Sequence, residues 1–369
     1  MRARPRLAGW PLLFCALLGT PAVLRAGWWA VPIHDAAGAT ARFYQINLTT
    51  GSVTELEPRR SGEVLKPQRL VQNLFSEIGR PADLPAQPGE FLVAGLEDSN
   101  GRTRNLLLVE TPTGYVATIS KLGQGLRLGE FHTVSGRPAS ALAGEGGSFA
   151  LLVNRDSNGR THSAFLLNGT SGQCLLFEKL GDNEPEPTAR TCGQVPRLRL
   201  GSGEAPLQLA DGSTLGHLLV DGTDGSVYLL RLPAERGGTP SVRRSEVNLA
   251  TLFGTERTDV ASRSFLLVPV TSSSGSTVMV LAIDAMTGGV AALNGWEEGQ
   301  KLVASRLPVS LAGSLPVPST GSWQAVARQS GRGETAGVWI LENGLERAAL
   351  LSELADPRNL QARRVELVP

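Results

Sequence analysis

This sequence has almost no net charge, few histidines and few cysteines. Each of these shortages argues against a class of function, such as nucleic-acid binding or metal binding. Lysine and arginine number 35 against 34 acidic residues, and the two signs are interspersed, so the basic face that nucleic-acid binding requires is absent. The four histidines show no metal-ligand spacing, and neither HExxH nor CxxC occurs. A phosphate loop, a dinucleotide fingerprint and a Gly-x-Ser-x-Gly elbow are also missing. The sequence therefore singles out no catalytic residue, no metal ligand and no cofactor ligand.

The N-terminus has the layout of a secretory signal peptide. Three arginines within the first six residues precede the apolar stretch 7–24, and small residues follow it. This order predicts a signal peptide over 1–26 and a secreted or periplasmic protein. The alternative is an uncleaved membrane anchor, for which the apolar stretch is short. Lipid attachment at Cys15 is disfavoured, because Phe14 precedes it where a lipobox requires a small residue.

Only two cysteines remain after the signal peptide, Cys174 and Cys192. In an exported chain such a pair favours a disulfide over a metal site or a nucleophile. The bridge would close a modest loop and contribute about 3 kcal/mol to the free energy of unfolding. The alternative is two unrelated buried thiols.

The stretch 91–181 contains one pattern written twice. Asp98-Ser-Asn-Gly-Arg-Thr recurs as Asp156-Ser-Asn-Gly-Arg-Thr, and Lys121-Leu-Gly recurs as Lys179-Leu-Gly, each 58 positions later. An unchanged offset indicates an internal structural repeat. In each copy, apolar runs flank an Asn-Gly turn, and a second Gly turn leads into a third run. This pattern is typical of an antiparallel meander of three to four strands.

Four further copies complete the prediction, and the 43 glycines and 23 prolines suit a turn-rich β protein. We expect an all-β β-propeller of six blades, each of three to four antiparallel strands, as a single domain over 27–369. Segment 362–368 would be the strand that closes the ring, and 67–79 has the spacing of a short helix between blades. The first strands of the blades are predicted to start near 28, 91, 149, 217, 265 and 323.

Two segments carry a family resemblance. Val280-Leu-Ala-Ile-Asp-Ala-Met-Thr-Gly-Gly-Val and, more loosely, Phe43-Tyr-Gln-Ile-Asn-Leu-Thr-Thr-Gly-Ser-Val resemble blades of the quinoprotein-like (PQQ/WD40-like) propeller superfamily. A quinoprotein dehydrogenase would imply a pyrroloquinoline quinone cofactor, a bound calcium and a recurrent late Trp. A Trp occurs at that place once, as Trp296, and no set of residues matches cofactor ligands. The resemblance supports the architecture, and we expect no cofactor.

Three Asp-containing turns echo calcium loops, namely Asp98-Ser-Asn-Gly, Asp156-Ser-Asn-Gly and Asp221-Gly-Thr-Asp-Gly. A calcium loop of the EF-hand type needs a longer run and a distal bidentate Glu, which are absent. Asp and Asn before Gly are what hairpin turns require. We therefore interpret these segments as turns and expect no metal site.

For the tryptophans and for His217, we prefer a structural interpretation to a functional one. Trp28-Trp29, Trp323 and Trp339 lie in predicted strands, where they would wedge between blades, with a sugar platform as the alternative. His217 is expected to begin the first strand of its copy. It would be a packed, hydrogen-bonded histidine or, less simply, a residue of the central channel.

The sequence favours a non-catalytic, monomeric, exported propeller. It would be a binding or scaffold module for a protein or polysaccharide partner in the cell envelope, with no nucleic-acid partner and no membrane span after signal cleavage. One alternative is a propeller enzyme, either a quinoprotein-type oxidoreductase or a glycan-active hydrolase or lyase, with its site at the axial funnel. The other is a carbohydrate-binding lectin. Carboxylates and histidines with perturbed pKa values at the channel mouth would favour the enzyme.

Overall fold

A computed structural model describes residues 27–368, except 79–90, 124, 137, 143–147, 181–186, 234–237, 256–264, 316–322 and 344–346. These residues form 24 strands, which fall in chain order into six sets of four. The predicted signal peptide lies outside the described residues. Within them, no helix has the length and apolar character needed to cross a membrane.

The first three sets are as follows. Set 1 comprises β1 (Trp28–His34), β2 (Thr40–Asn47), β3 (Ser52–Arg59) and β4 (Val64–Asn73). Set 2 comprises β5 (Phe91–Glu97), β6 (Thr103–Glu110), β7 (Tyr115–Ser120) and β8 (Glu130–Thr133). Set 3 comprises β9 (Phe149–Arg155), β10 (Thr161–Asn168), β11 (Gln173–Glu178) and β12 (Thr188–Gln194).

The last three sets repeat this arrangement. Set 4 comprises β13 (Leu200–Gln208), β14 (Thr214–Asp221), β15 (Ser226–Arg231) and β16 (Ser241–Asn248). Set 5 comprises β17 (Phe265–Thr271), β18 (Thr277–Asp284), β19 (Gly289–Asn294) and β20 (Val303–Ser310). Set 6 comprises β21 (Trp323–Gln329), β22 (Thr335–Glu342), β23 (Ala348–Ser352) and β24 (Gln361–Leu367).

Two α-helices, both short, follow the last strands of sets 1 and 4. They are α1 (Leu74–Glu77) and α2 (Leu249–Phe253). The Asn that precedes each helix caps it, since Asn73 accepts from the N–H groups of Phe75 and Ser76, and Asn248 accepts from that of Thr251. Single 3-10 turns are Arg60–Gly62, Ser140–Leu142, Leu311–Gly313 and Pro357–Asn359.

The sets are arranged as a β-propeller. Strands within a set are antiparallel neighbours in chain order, and the first strand of each set contacts the first strands of the sets before and after it, around a closed ring. Sets 2 to 5 are separate four-stranded sheets, whereas sets 1 and 6 share an eight-stranded sheet. The shared sheet is joined by β24, which pairs in parallel with β4 through Glu366–Val64 and Leu367–Leu65. Because these two sets form one sheet, six separate blades are not confirmed.

The core is divided among the junctions between sets. Six clusters of buried apolar side chains lie one at each junction, including that between sets 6 and 1. Each sheet thus covers its faces with its neighbours, as a repeat architecture requires. Trp339 is fully buried between sets 6 and 1, with its ring centroid 5.3 Å from that of Phe43. Trp323 lies in the cluster between sets 5 and 6, so both residues act as wedges.

Three local expectations can be compared with the structure. The Cys174–Cys192 disulfide is present and joins β11 to β12, with the Cα atoms 5.4 Å apart. Of segment 67–79, the described residues 67–78 are strand as far as Asn73 and helical only in α1, because the outer strand of set 1 extends that far to cover β3. Segment 362–368 lies in the closing strand, β24, as far as Leu367.

The predicted start of the fourth repeat at residue 217 is wrong. His217 lies within β14, the second strand of set 4, and the first strand is β13. That strand contains Gly201, Gly203 and Pro206, so it lacks the apolar run that marks the first strand in the other sets. The run at 217 belongs to the strand after it.

Candidate functional site

The first hairpin of every set, meaning its first two strands and their turn, has the same construction. The turn ends in a glycine at positive φ, whose N–H donates to the carbonyl three residues earlier, and a threonine follows two residues after the glycine. In set 2 Asp98 Oδ1 also accepts from the N–H groups of Asn100 and Arg102, so its carboxylate is engaged within the turn. The turn glycines are Gly38, Gly101, Gly159, Gly212, Gly275 and Gly333.

A β-bulge occurs at the same place in each first hairpin. The pairing register shifts at the last residue of the first strand, next to the turn. A bulge re-aims the side chain it carries, here beside the axis of the ring. The six bulge residues are His34, Glu97, Arg155, Gln208, Thr271 and Gln329.

Six threonine hydroxyls link the bulge residues into a ring. The N–H of each bulge residue donates to Oγ1 of the threonine that opens the second strand of the next set, at 2.9–3.0 Å. Gln329 closes the ring by donating to Thr40 of set 1. This threonine ring holds six different side chains in equivalent positions at one end of the axis.

Four of these side chains form a bonded chain, which we call the axial cluster: His34, Glu97, Arg155 and Gln208. Oε1 of Glu97 lies 3.0 Å from His34 Nδ1 and 2.6 Å from Arg155 Nη2. Gln208, with its amide oriented to satisfy both groups, accepts from Arg155 Nη1 at 2.8 Å and donates to the carbonyl of Gly275 at 3.3 Å. The cluster therefore spans sets 1 to 4.

The charges of the axial cluster compensate one another. Burial of Glu97, which is 8% exposed, opposes ionisation, but the positive charge of Arg155 and the hydrogen bond with His34 outweigh it and hold its pKa below the usual value. Nε2 of His34 is buried and has no partner among the described residues. A carboxylate that orients an imidazole with one free nitrogen is an arrangement that can serve a general base.

The hairpin turns crowd together around this end of the axis. A Cβ built on Gly38 would lie 3.5 Å from the carbonyl oxygen of Asn100, and one on Gly212 would lie 3.3 Å from the backbone of Gly159. One on Gly331 would lie 3.4 Å from Cβ of Ala37. Neighbouring turns thus approach closely at three of the six junctions. We call the surface made by the six turns the hairpin face; it comprises 35–38, 98–101, 156–159, 209–212, 272–275 and 330–333.

His217 is a packed histidine of the junction between sets 3 and 4. It is 2% exposed, and its Nε2 lies 3.0 Å from Oδ1 of Asn154. Burial lowers its pKa to about 3. Glu204 of β13 pairs across the sheet with Leu219, on the same face as His217, and burial raises its pKa to about 8. Neither group has a charged partner among the described residues.

The two remaining histidines, His132 and His162, lie on strands of sets 2 and 3. Nε2 of His132 lies 2.8 Å from Ser120 Oγ on the exterior of set 2, and His162 lies on β10. The described residues contain no group of three potential metal-ligating side chains. The structure brings together His34 with Glu97 and Arg155, which the sequence did not single out. The signal that could have found them is the shared Gly-x-Thr, which aligns the residues preceding each turn.

Comparison with known proteins leaves the family open. No protein-family model matches the sequence, and no curated protein does. The periplasmic gluconolactonase PpgL of Pseudomonas aeruginosa is 12% identical over 92% of this chain and 85% of that chain, with a TM-score of 0.48. A protein from Lactobacillus plantarum gives 10% over 92% and 85%, with a TM-score of 0.49. A putative 6-phosphogluconolactonase from Bacteroides uniformis gives 12% over 92% and 84%, at 0.48. Similarities this low carry no functional argument.

Proposed function

We propose that this chain is an exported, non-catalytic β-propeller that binds a protein or polymer partner in the cell envelope through its hairpin face. The observation that carries the proposal is that the backbone construction of the six hairpins is constant while the side chains they present vary. The same turn, bulge and threonine bond recur in all six sets, while the residues they present differ. A rigid scaffold with variable loop residues is the usual basis of a binding surface.

The surface chemistry of the hairpin face supports binding over catalysis. Glu97 is engaged by both Arg155 and His34, so the buried charge of the cluster is used internally. The tips of the turns are short, exposed and mostly small or polar. They comprise 36–37, 99–100, 157–158, 210–211, 273–274 and 331–332. A shallow surface of this kind suits a protein or polysaccharide partner better than it encloses a small substrate.

The disulfide supports an exported location. Cys174 and Cys192 are both buried and bonded, and such bridges persist mainly in oxidising compartments. Together with the N-terminal pattern, this favours secretion or the periplasm, with a monomer as the expected state.

The test compares two arginine substitutions at opposite ends of the propeller. Asn158→Arg lies at an exposed tip of the hairpin face, and Thr223→Arg lies in the exposed turn between the second and third strands of set 4. Cross-linking pull-down from the native envelope should recover one partner with wild type and with Thr223→Arg, and lose it with Asn158→Arg. N-terminal sequencing should find a mature chain beginning near residue 27. Equal recovery with both variants, or a cytoplasmic protein with its N-terminus intact, would refute the proposal.

A second candidate is a propeller enzyme with its site on the axis. The observation that favours it is the Glu97–His34 pair with Nε2 of His34 free, as a hydrolytic base requires. Wild type would then turn over a glycan substrate, and His34→Gln would abolish turnover while leaving the melting temperature close to wild type. Absence of turnover by wild type, and of a chromophore after adding pyrroloquinoline quinone and calcium, would leave the binding proposal standing alone.

A further inference from the structure

One position of the repeat decides how neighbouring sets meet. The residue just before each bulge points into the junction with the next set. In sets 1, 2, 4 and 5 it is a buried aliphatic residue of the junction cluster. In sets 3 and 6 it is polar. The six residues in order are Ile33, Leu96, Asn154, Leu207, Val270 and Arg328.

The two polar cases differ in what faces them. Asn154 of set 3 meets His217 of set 4, which pairs with Pro206 on the adjoining first strand. The residue of set 1 at the place of His217 is Phe43, which pairs with Pro32 in the same way. Arg328 of set 6 thus has an aromatic residue where Asn154 has a hydrogen-bonding partner.

Arg328 is half-buried and has no ion pair among the described residues. Its closest hydrogen bond is long, from Nη2 to the carbonyl of Ala336 at 3.5 Å. Burial lowers the pKa of its guanidinium. Partial removal of a charge from water without a counter-charge is unfavourable, so this side chain departs from the repeat without an evident structural gain.

A cavity of about 320 Å³ opens beside Arg328, between set 6 and the 60–63 connection of set 1. We call it the seam cavity. A Cβ on Gly62 would lie 3.0 Å from Arg328 Nη1, so a larger residue there would press on the guanidinium. Oγ of Ser352, also in the lining, is buried and has no partner among the described residues. This volume is at the low end of the roughly 300–1,000 Å³ typical of small-molecule sites.

The charged residues of the seam cavity differ in exposure. Arg328 is half-buried and is the more enclosed of the two arginines in the lining. At the mouth, Glu334 and Glu353 are exposed and form no ion pair among the described residues, while Glu63 is 3.5 Å from Arg363. A simple anion would be attracted by the interior and repelled by the mouth. A ligand with both signs matches both.

We propose that the seam cavity binds a small zwitterion, an amino acid with its carboxylate and ammonium on one short carbon chain. The carboxylate accepts from the Arg328 guanidinium, whose planar fork matches its two oxygens. The ammonium faces Glu334 and Glu353. This site is separate from the hairpin-face partner proposed above and does not rest on it.

The test is calorimetric titration of the full chain with glycine, β-alanine, 4-aminobutanoate and 6-aminohexanoate, which space the two charges differently. Propionate and propylamine each carry one of the charges. We expect at least one zwitterion to bind about tenfold more tightly than either single-charge compound. The preferred chain length would report the distance from Arg328 to the mouth.

Two variants assign the binding to Arg328. Arg328→Gln should weaken the best zwitterion about tenfold or more, because it removes the charged fork. Arg364→Gln is the matched control, since Arg364 is exposed on β24 and outside the cavity lining, and it should leave affinity unchanged. If Arg328→Gln does not fold, Glu334→Gln replaces it. This variant should weaken the zwitterion and tighten propionate, because the mouth then repels a single anion less.

Three results would overturn the proposal. They are no heat from any zwitterion with wild type at millimolar concentrations, equal affinity for propionate and the best zwitterion, and equal affinity for wild type and a folded Arg328→Gln.

Discussion

The junction between sets 3 and 4 and the junction between sets 6 and 1 place a polar residue at the same point of the repeat, with opposite results. Asn154 meets His217 at 3.0 Å, deep inside the protein. At the second junction, Phe43 occupies the place of that histidine, and Arg328 lies beside a cavity. A matched polar pair in a repeat is explained by structure alone. An unmatched polar group at the same point calls for a partner that the chain itself does not supply.

The comparison also separates stability from function in measurable terms. A buried hydrogen-bonding group that loses its partner costs about 1–3 kcal/mol, whereas replacing both partners by apolar residues is nearly neutral. The first junction should therefore be sensitive to single substitutions and tolerant of a double one. The second should tolerate a single apolar substitution, because Arg328 forms no ion pair among the described residues.

The largest effect is expected from Asn154→Leu, which leaves Nε2 of the buried His217 without a partner. We expect the free energy of unfolding to fall by about 2–3 kcal/mol, measured by guanidinium titration at neutral pH. Asn154→Leu combined with His217→Val should recover most of this loss, since valine occupies the place of His217 in sets 5 and 6 as Val280 and Val338. A double variant as unstable as Asn154→Leu would contradict the pairing.

Acid should destabilise the same junction through His217. Its pKa is about 3 in the folded chain and 6.5 in an ordinary peptide, so between these values the unfolded state binds the extra proton. The contribution of His217 to the free energy of unfolding should then fall as pH decreases from 6.5 towards 3, by up to about 1.4 kcal/mol per pH unit. The Asn154→Leu/His217→Val variant should lose less than wild type over that range. Parallel curves would refute a neutral His217.

Alkali should destabilise this junction through Glu204. Its pKa is about 8 when folded against 4.5 ordinarily, so the folded state holds the extra proton and its contribution to the free energy of unfolding falls as pH rises from 4.5 to 8. Between 4.5 and 6.5 this contribution opposes that of His217, so the net decline in wild type is expected from pH 6.5 to 8. Glu204→Gln is neutral in both states and should remove this decline. Glu298→Gln, in an exposed turn, is the control and should retain it. Unchanged pH dependence in Glu204→Gln would show that the carboxyl is solvated.

The smallest effect is expected from Arg328→Leu, which restores at the seam the aliphatic residue found in sets 1, 2, 4 and 5. The free energy of unfolding should stay within about 0.5 kcal/mol of wild type or rise slightly, because a partly desolvated charge is removed. Guanidinium titration beside Asn154→Leu gives the direct contrast. A loss as large as that of Asn154→Leu would mean that Arg328 is a structural residue, and the two junctions would not differ in kind.

The propeller could be predicted because each repeat contains a turn whose glycine and threonine are close together in sequence. The conformation of such a turn depends mainly on those few residues. The constant offset between Asp98 and Asp156 marks equivalent turns, and the apolar runs around them mark strands. The predicted alignment of set 4 was wrong because the apolar run of β14 resembles that of a first strand. Aligning Gly212-Ser-Thr214 with Gly159-Arg-Thr161 would have placed set 4 correctly. Local turn chemistry was the better guide than apolar content.

The axial cluster and the seam cavity were less accessible to sequence reasoning. The bulge residues His34, Glu97 and Arg155 share no residue type, so no motif connects them, and they meet only because the ring closes. Arg328 is unusual only once it is aligned with Ile33 and its equivalents. Charge pairing across sets depends on tertiary distances that residue spacing does not contain.

The last bond of the threonine ring has a consequence for synthesis. It joins Gln329 to Thr40 across 289 positions, so almost the whole polypeptide must be made before set 1 finds its second neighbour. Until then the side of set 1 that carries Phe43 is open to water. We expect chaperones of the holdase type to bind that side of a nascent chain, and a fragment that stops before residue 323 to aggregate where the intact chain does not.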